Sequence, residues 1–177
     1  MFIDAMAHLN DPRVEDLETV LERAKRAGIT HIINAGVDPC LDQELPNSTA
    51  PLIYKAYGIP PMAVGKKPLN VQLDSLRERL AEDRVVAIGE IGLDKRAGMP
   101  DWNLQVEAFQ AQLALAQTLN LPVIIHCVKA TGLLLQELHQ GPELIAGGLW
   151  HGYTGSVESV NQIENAGLHI SLGGQVS

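Results

Sequence analysis

Cysteine is nearly absent. The 177 residues contain two, Cys40 and Cys127, far apart and in no CxxC pair. No disulfide framework follows from such a pair, and a reduced intracellular protein is the simplest reading. Aromatics are scarce at 4%, so the core is expected to be aliphatic, which suits parallel strands stacked under helices. No apolar run approaches the roughly 18 residues needed to span a bilayer. The opening MFIDAMAHLNDPR lacks the basic segment and long apolar run of a signal peptide. Together these absences predict a cytoplasmic protein with no membrane partner. The glycine-rich loops GxGxxG and GxxxxGK[ST] do not occur, nor does the nucleophile elbow GxSxG. A cationic surplus is missing too: 13 Lys and Arg face 21 Asp and Glu, a net charge of −8. Such a surface repels phosphate backbones at long range, although a bound metal can reverse the field locally.

What is present is an ordinary globular balance of 46% apolar and 19% charged residues, enough for one sizeable core. Short apolar runs alternate with amphipathic stretches. Strand signals fall at Phe2–Ala5, Ile29–Gly36, Lys55–Ile59, Arg84–Glu90, Pro122–His126, Gly148–His151 and Leu168–Leu172. Helical spacing is read over Glu15–Ala27, Val71–Ala81, Asn103–Leu119, Thr131–His139 and Val157–Ala166. Residues 38–52 carry three prolines and predict an irregular crossover. Seven strands joined by crossovers of helix length give parallel α/β architecture in a single domain, 1–177. A doubly wound sheet fits these elements as well as a barrel does.

His8, Glu90, His126 and His151 each fall at or just past the C-terminal end of a predicted strand. In a β/α barrel those ends open on one face, where active sites are built. Imidazole and carboxylate together suit Zn²⁺, Mn²⁺ or Fe. His31 and His169 lie inside strands and His139 near a helix end, so these three read as structural or surface residues. Cys127 reads as a small strand-end residue rather than a nucleophile.

The segments FIDAMAHLNDPR, AGITHIINAGVD, RVVAIGEIGLD, LNLPVIIHC and GGLWHGYTGS occur in this order along essentially the whole chain. They resemble the successive strand-end motifs of the TatD deoxyribonuclease family, metal-dependent hydrolases of the amidohydrolase-like barrels. The resemblance implies a TIM-like (β/α) barrel and phosphoester hydrolysis. It implies that His8 is the second histidine of a first-strand HxH pair, and that Glu90 is the carboxylate at the metals and carries catalysis. It implies that His126 and His151 are the ligands of the fifth and sixth strands. Asp94 matches a family position, and its bottom-up reading is a turn-capping aspartate.

The departures from the pattern decide the rest. Met6 stands where the first histidine of the pair belongs, and a thioether is a poor ligand for a hard cation. The family's GIHPH is Gly58-Ile59-Pro60-Pro61-Met62 here, without its histidines. Lys66 and Lys67 follow and are the candidates for a substrate phosphate. The family's eighth strand carries an aspartate, and the chain ends five residues after Leu172, so an incomplete barrel with seven of eight strands is expected. Glu90, His126 and His151 retain one metal site. The expectation is therefore one divalent ion (Zn, Mn or Mg), a phosphate-ester or DNA substrate, and self-association or a partner covering the open barrel edge. The alternative is a catalytically degenerate barrel that acts as a binding or structural partner.

Overall fold

The computed structural model describes residues 1–14, 16–36 and 50–173. Cys40 and most of the proline-bearing crossover lie outside them. Seven strands form one sheet in the order β1-β2-β3-β4-β5-β6-β7, every neighbouring pair parallel. They are β1 (Phe2–Ala7), β2 (Ile29–Ala35), β3 (Leu52–Tyr57), β4 (Val85–Asp94), β5 (Val123–Val128), β6 (Gly148–Trp150) and β7 (Leu168–Ile170). The helices are α1 (Leu17–Arg26), α2 (Leu69–Leu80), α3 (Trp102–Leu119), α4 (Thr131–Gln140) and α5 (Val160–Asn165). Sequential order, with a described helix in five of the six crossovers, curls the sheet into part of a (β/α) barrel. Among the described residues β1 and β7 each pair on one side only. No described helix is long and apolar enough to cross a membrane.

Local chemistry explains the elements. The Asp16 carboxylate accepts the Thr19 N–H to start α1, and Asp101 accepts the Asn103 N–H to start α3. Asn120, in the left-handed conformation, ends α3. Alternation along each strand then sorts side chains between two faces. Ile88, Leu93, Val123, Ile125 and Trp150 pack outward under Phe109 and Leu113 of α3 and Leu134 of α4. Ala56, Ala87 and Ile124 form a separate inner layer, with Met6 and Ile33 against it. His126, two residues beyond Ile124, continues along that inner side.

Most boundaries differ from the sequence reading by one or two residues, and three elements differ by more. The fourth strand does not stop at Glu90 but runs on to Asp94. An irregularity in pairing between Gly89 and Ile91 leaves Glu90 as an extra residue, a β-bulge after which the ladder with β5 resumes. The third strand begins at Leu52 and ends at Tyr57, and Pro60-Pro61 then lead into a 3-10 turn over Pro61–Ala63. The last helix begins as a 3-10 turn, Val157–Ser159, before its α-helical part.

One polar cluster ties the β3, α2 and β4 region together. Glu82 accepts hydrogen bonds from Lys55 Nζ at 2.6 Å, Tyr57 Oη at 3.1 Å and Arg79 Nη1 at 2.8 Å. Burial alone would raise its pKa, but Lys55, Arg79 and Tyr57 outweigh burial and lower it from the ordinary 4.5 to about 2. A carboxylate with a depressed pKa stabilises the fold above its unfolded value, and that stability drains away as pH falls through the folded one. Glu82→Gln is therefore expected to cost roughly 1–3 kcal/mol at neutral pH, discounted for partial exposure. The deficit relative to wild type should shrink between pH 4.5 and about 2. Urea titrations at several pH values check it, and a deficit that does not change across that window sinks it.

Candidate metal centre

Four strand ends deliver the site. His8 follows β1 directly, and Asn34 on β2 fixes its loop by accepting the Leu9 N–H at 2.6 Å and donating to Asn10 Oδ1 at 2.7 Å. The His8 ring is set by the Ala35 carbonyl, 2.9 Å from Nδ1. A carbonyl only accepts, so the Nδ1–H donates to it, and Nε2 faces inward, 3.7 Å from Glu90 Oε2. Glu90 rises from the bulge in β4. His126 lies within β5, and His151 just past β6, where its N–H donates to the Ile125 carbonyl at 3.0 Å.

Glu90 is the hub. It is buried, and its Oε1 stands 2.9 Å from His126 Nδ1. His151 Nε2 closes on the same oxygen. That approach lacks hydrogen-bond geometry, so the buried His151 Nε2 has no hydrogen-bond partner. One ligand atom each from Glu90, His126 and His151 lie within 4.8 Å of one another. Burial would raise the Glu90 pKa; the imidazoles of His126 and His151 outweigh it and hold the carboxyl far below its usual range. For His126, burial acts to lower the pKa, and the carboxylates of Glu90 and Asp94 override it and raise it.

Two nitrogens and one carboxylate oxygen around a common point, one nitrogen lacking a hydrogen bond, fit the donor set of a divalent cation such as Zn²⁺.

Behind this cluster lies Asp94, which matches a family position and whose residue-level reading is a turn cap. Asp94 does cap the turn, accepting the Arg96 N–H at 2.8 Å. Its Oδ2 also receives Arg96 Nη2 at 2.5 Å and lies 3.1 Å from His126 Nε2. Burial acts to raise the Asp94 pKa, and the Arg96 guanidinium together with His126 lowers it. Gln105, buried on α3, donates from Nε2 to the Asp94 carbonyl at 3.1 Å and accepts the Asp94 N–H at 2.9 Å. Seven residues on, Gln112 makes the same pair of bonds to Ile59, at 3.1 and 2.6 Å. Asn34, Gln105 and Gln112 carried no signal in the sequence beyond being polar among apolar neighbours.

The other candidates fall elsewhere. Met6 packs against the inner alanine layer below the centre. Lys66 and Lys67 are exposed on the loop before α2. The cleft of about 380 Å³ that they line with Leu104 and Glu107 shares no residue with the carboxylate–imidazole cluster. Burial pushes the Cys127 thiol up to about 11, which fits an unreactive packing residue.

The family model described as TatD related DNase matches residues 3–177. An uncharacterized metal-dependent hydrolase, YabD of Bacillus subtilis, is 33% identical over 100% of this chain and 70% of its own. A protein named 3'-5' ssDNA/RNA exonuclease TatD, from Pantoea vagans, is 32% identical over 91% of this chain. This chain spans only 63% of that exonuclease's length. The crystal structure of YjjV, a TatD homologue from Escherichia coli, superposes with a TM-score of 0.85 at 30% identity, over 99% of this chain and 69% of that one. A TatD-family hydrolase structure from Entamoeba histolytica gives 0.77 at 27% identity, over 97% of this chain and 64% of that one. With its ordered strand-end motifs, its parallel curled sheet and a family match over nearly its full length, the chain belongs to the TatD related DNase family.

Proposed function

We propose that the chain hydrolyses phosphoesters, DNA or a smaller phosphate ester, at a single divalent-cation site made by Glu90, His126 and His151. The observation that carries this reading is the convergence of their three ligand atoms within 4.8 Å. A relative named as an exonuclease of ssDNA and RNA supports a phosphodiester as the substrate class. A divalent ion bound here (Zn, Mn or Mg) would serve as a Lewis acid on a phosphoryl oxygen and lower the pKa of water.

The chain's own residues supply the rest. Glu90 provides the buried negative charge that a cation needs. His8 Nε2 stands 3.7 Å from the other oxygen of that carboxylate, in position to add a ligand. Lys66 and Lys67 are assigned to phosphate contacts farther from the reacting atoms. At a second cation, His8 and Glu90 would stand beside Met6, which offers a thioether in place of imidazole. No Asp or Glu follows Glu164 in the 177 residues, so the aspartate expected of the family is not among them.

Titration of the purified protein with Mn²⁺ or Zn²⁺ tests the reading. About one ion per chain is expected, with slow hydrolysis of a generic phosphodiester in added Mn²⁺. Protein that binds no ion and hydrolyses nothing supports the second reading, a degenerate barrel acting as a binding or structural partner, which the methionine at position 6 favours.

We also propose association at the open sheet. Unpaired strand edges invite pairing, and Phe2, Ile3 and Leu172 are exposed beside them. Size-exclusion chromatography with light scattering should show the 177-residue chain associated with a second copy or a partner. A sharp, cooperatively unfolding monomer would rule this out.

A further inference from the structure

Resting on the reading that Glu90, His126 and His151 hold a cation, we propose that Asp94 is the positioning residue of that centre. It takes the Nε2–H of His126, decides which ring nitrogen carries the proton, and so leaves the Nδ1 lone pair free for the cation.

The argument turns on competition for one proton. His126 stands between two carboxylates, Glu90 Oε1 at 2.9 Å from Nδ1 and Asp94 Oδ2 at 3.1 Å from Nε2. A neutral imidazole has one N–H, and an ionised carboxylate only accepts. If the proton sat on Nδ1, His126 and Glu90 would form a closed hydrogen-bonded pair, and Nδ1 would have no lone pair to offer. Putting it on Nε2 opens the site. Asp94 favours the second arrangement because it is held rigidly where Nε2 needs an acceptor. Its side chain is fully buried, and Gln105 grips its backbone from both the N–H and the carbonyl side. Gln105 is itself fixed by a third bond, to the Pro100 carbonyl at 2.8 Å. A carboxylate on the outer nitrogen of a ligating histidine fixes its tautomer and ring orientation.

Arg96 separates this role from turn capping. Its side chain is 48% exposed and holds Asp94 from the solvent side. If Asp94 only tied the turn to Arg96, removing either partner would have the same effect. If Asp94 acts on His126, removing Arg96 leaves that action in place.

Two variants and the wild type decide. Nitrogen-15 NMR of the metal-free protein, at a pH where the imidazoles are neutral, locates the His126 proton. It is expected on Nε2 in wild type and in Arg96→Ala, and displaced toward Nδ1 in Asp94→Asn. Zn²⁺ affinity, measured by chelator competition, should fall about 10–100-fold in Asp94→Asn. In Arg96→Ala it should change no more than about threefold, as for a partly exposed ion pair. Equal losses in the two variants overturn the proposal, as does an Asp94→Asn protein that keeps wild-type affinity and proton position. Should Asp94→Asn fail to fold, the wild type still decides, because a His126 proton found on Nδ1 also overturns it. Wild-type protein that binds no Zn²⁺ would remove the cation reading, while the metal-free NMR would still report on Asp94.

Discussion

Glu90→Gln is expected to weaken binding of Zn²⁺ or Mn²⁺ by about three orders of magnitude. At an effective dielectric constant near 20, two unit charges 4 Å apart interact by about 4 kcal/mol, and each 1.4 kcal/mol is tenfold in affinity. A divalent cation would carry twice the unit charge, so the figure is a lower bound on the charge effect. A glutamine keeps the shape of the hub but presents a neutral amide to His126 and His151. The change also acts without metal. The Glu90 carboxyl is held below its ordinary range, so it stabilises the fold at neutral pH, and that contribution is lost as pH falls. The variant should therefore melt earlier than wild type near neutrality, and the gap should narrow in acid. Calorimetric titration with Mn²⁺ and thermal melts at several pH values measure the two effects separately. Wild-type affinity in Glu90→Gln would place any bound cation away from this cluster.

The fold was readable because it rests on local signals. Runs such as RVVAIGE and PVIIH are rich in β-branched residues, and each is followed by a stretch of helical spacing closed by Asn or Gly. Alternating strands and helices of that kind leave few topologies. The four candidate ligands were readable for the same reason: a strand end is a local address, and four strand ends in a barrel share one face. The open choice between barrel and doubly wound sheet closes on the sequential strand order.

What was not readable depends on pairing across distance. No local pattern marks Glu90 as the bulge residue of β4, since a bulge exists only relative to the register of β5. Reading the strand as ending at Glu90 hid Asp94 as a strand residue facing His126, 32 positions away. Gln105 and Gln112 sit on α3 among apolar residues, and their role appears only when the peptide groups of Asp94 and Ile59 meet them. A buried glutamine clamping a backbone is a tertiary feature, selected by unsatisfied peptide groups at a strand end rather than by helix propensity. His8 illustrates the same limit. Its position was legible, but its tautomer depends on the Ala35 carbonyl of a neighbouring strand.

The largest effect on stability is expected at Gly92, where the register of β4 on β5 is set. Gly92 pairs with His126, and its φ is +146°, a backbone conformation that side chains rarely adopt. A Cβ added there would stand 1.9 Å from the His126 carbonyl oxygen and 2.8 Å from its carbonyl carbon. Those atoms are backbone, so no rotamer change relieves the clash, and close-packed interiors leave no room for a shift. Relief requires β4 to part from β5, which breaks the ladder and separates His126 from Glu90. Gly92→Ala should cost more than about 4 kcal/mol, a large share of the roughly 5–15 kcal/mol that holds a domain together. Gly98 is the control. Its φ is also positive, at +83°, but a Cβ there would meet nothing within 4 Å. Gly98→Ala should cost only the conformational term, about 1–2 kcal/mol, or roughly 2–8 °C in Tm for a chain of this size. Circular dichroism melts of the two variants separate strain from collision. If Gly92→Ala melts within a few degrees of Gly98→Ala, the tight approach of β4 to β5 is not what holds the centre together.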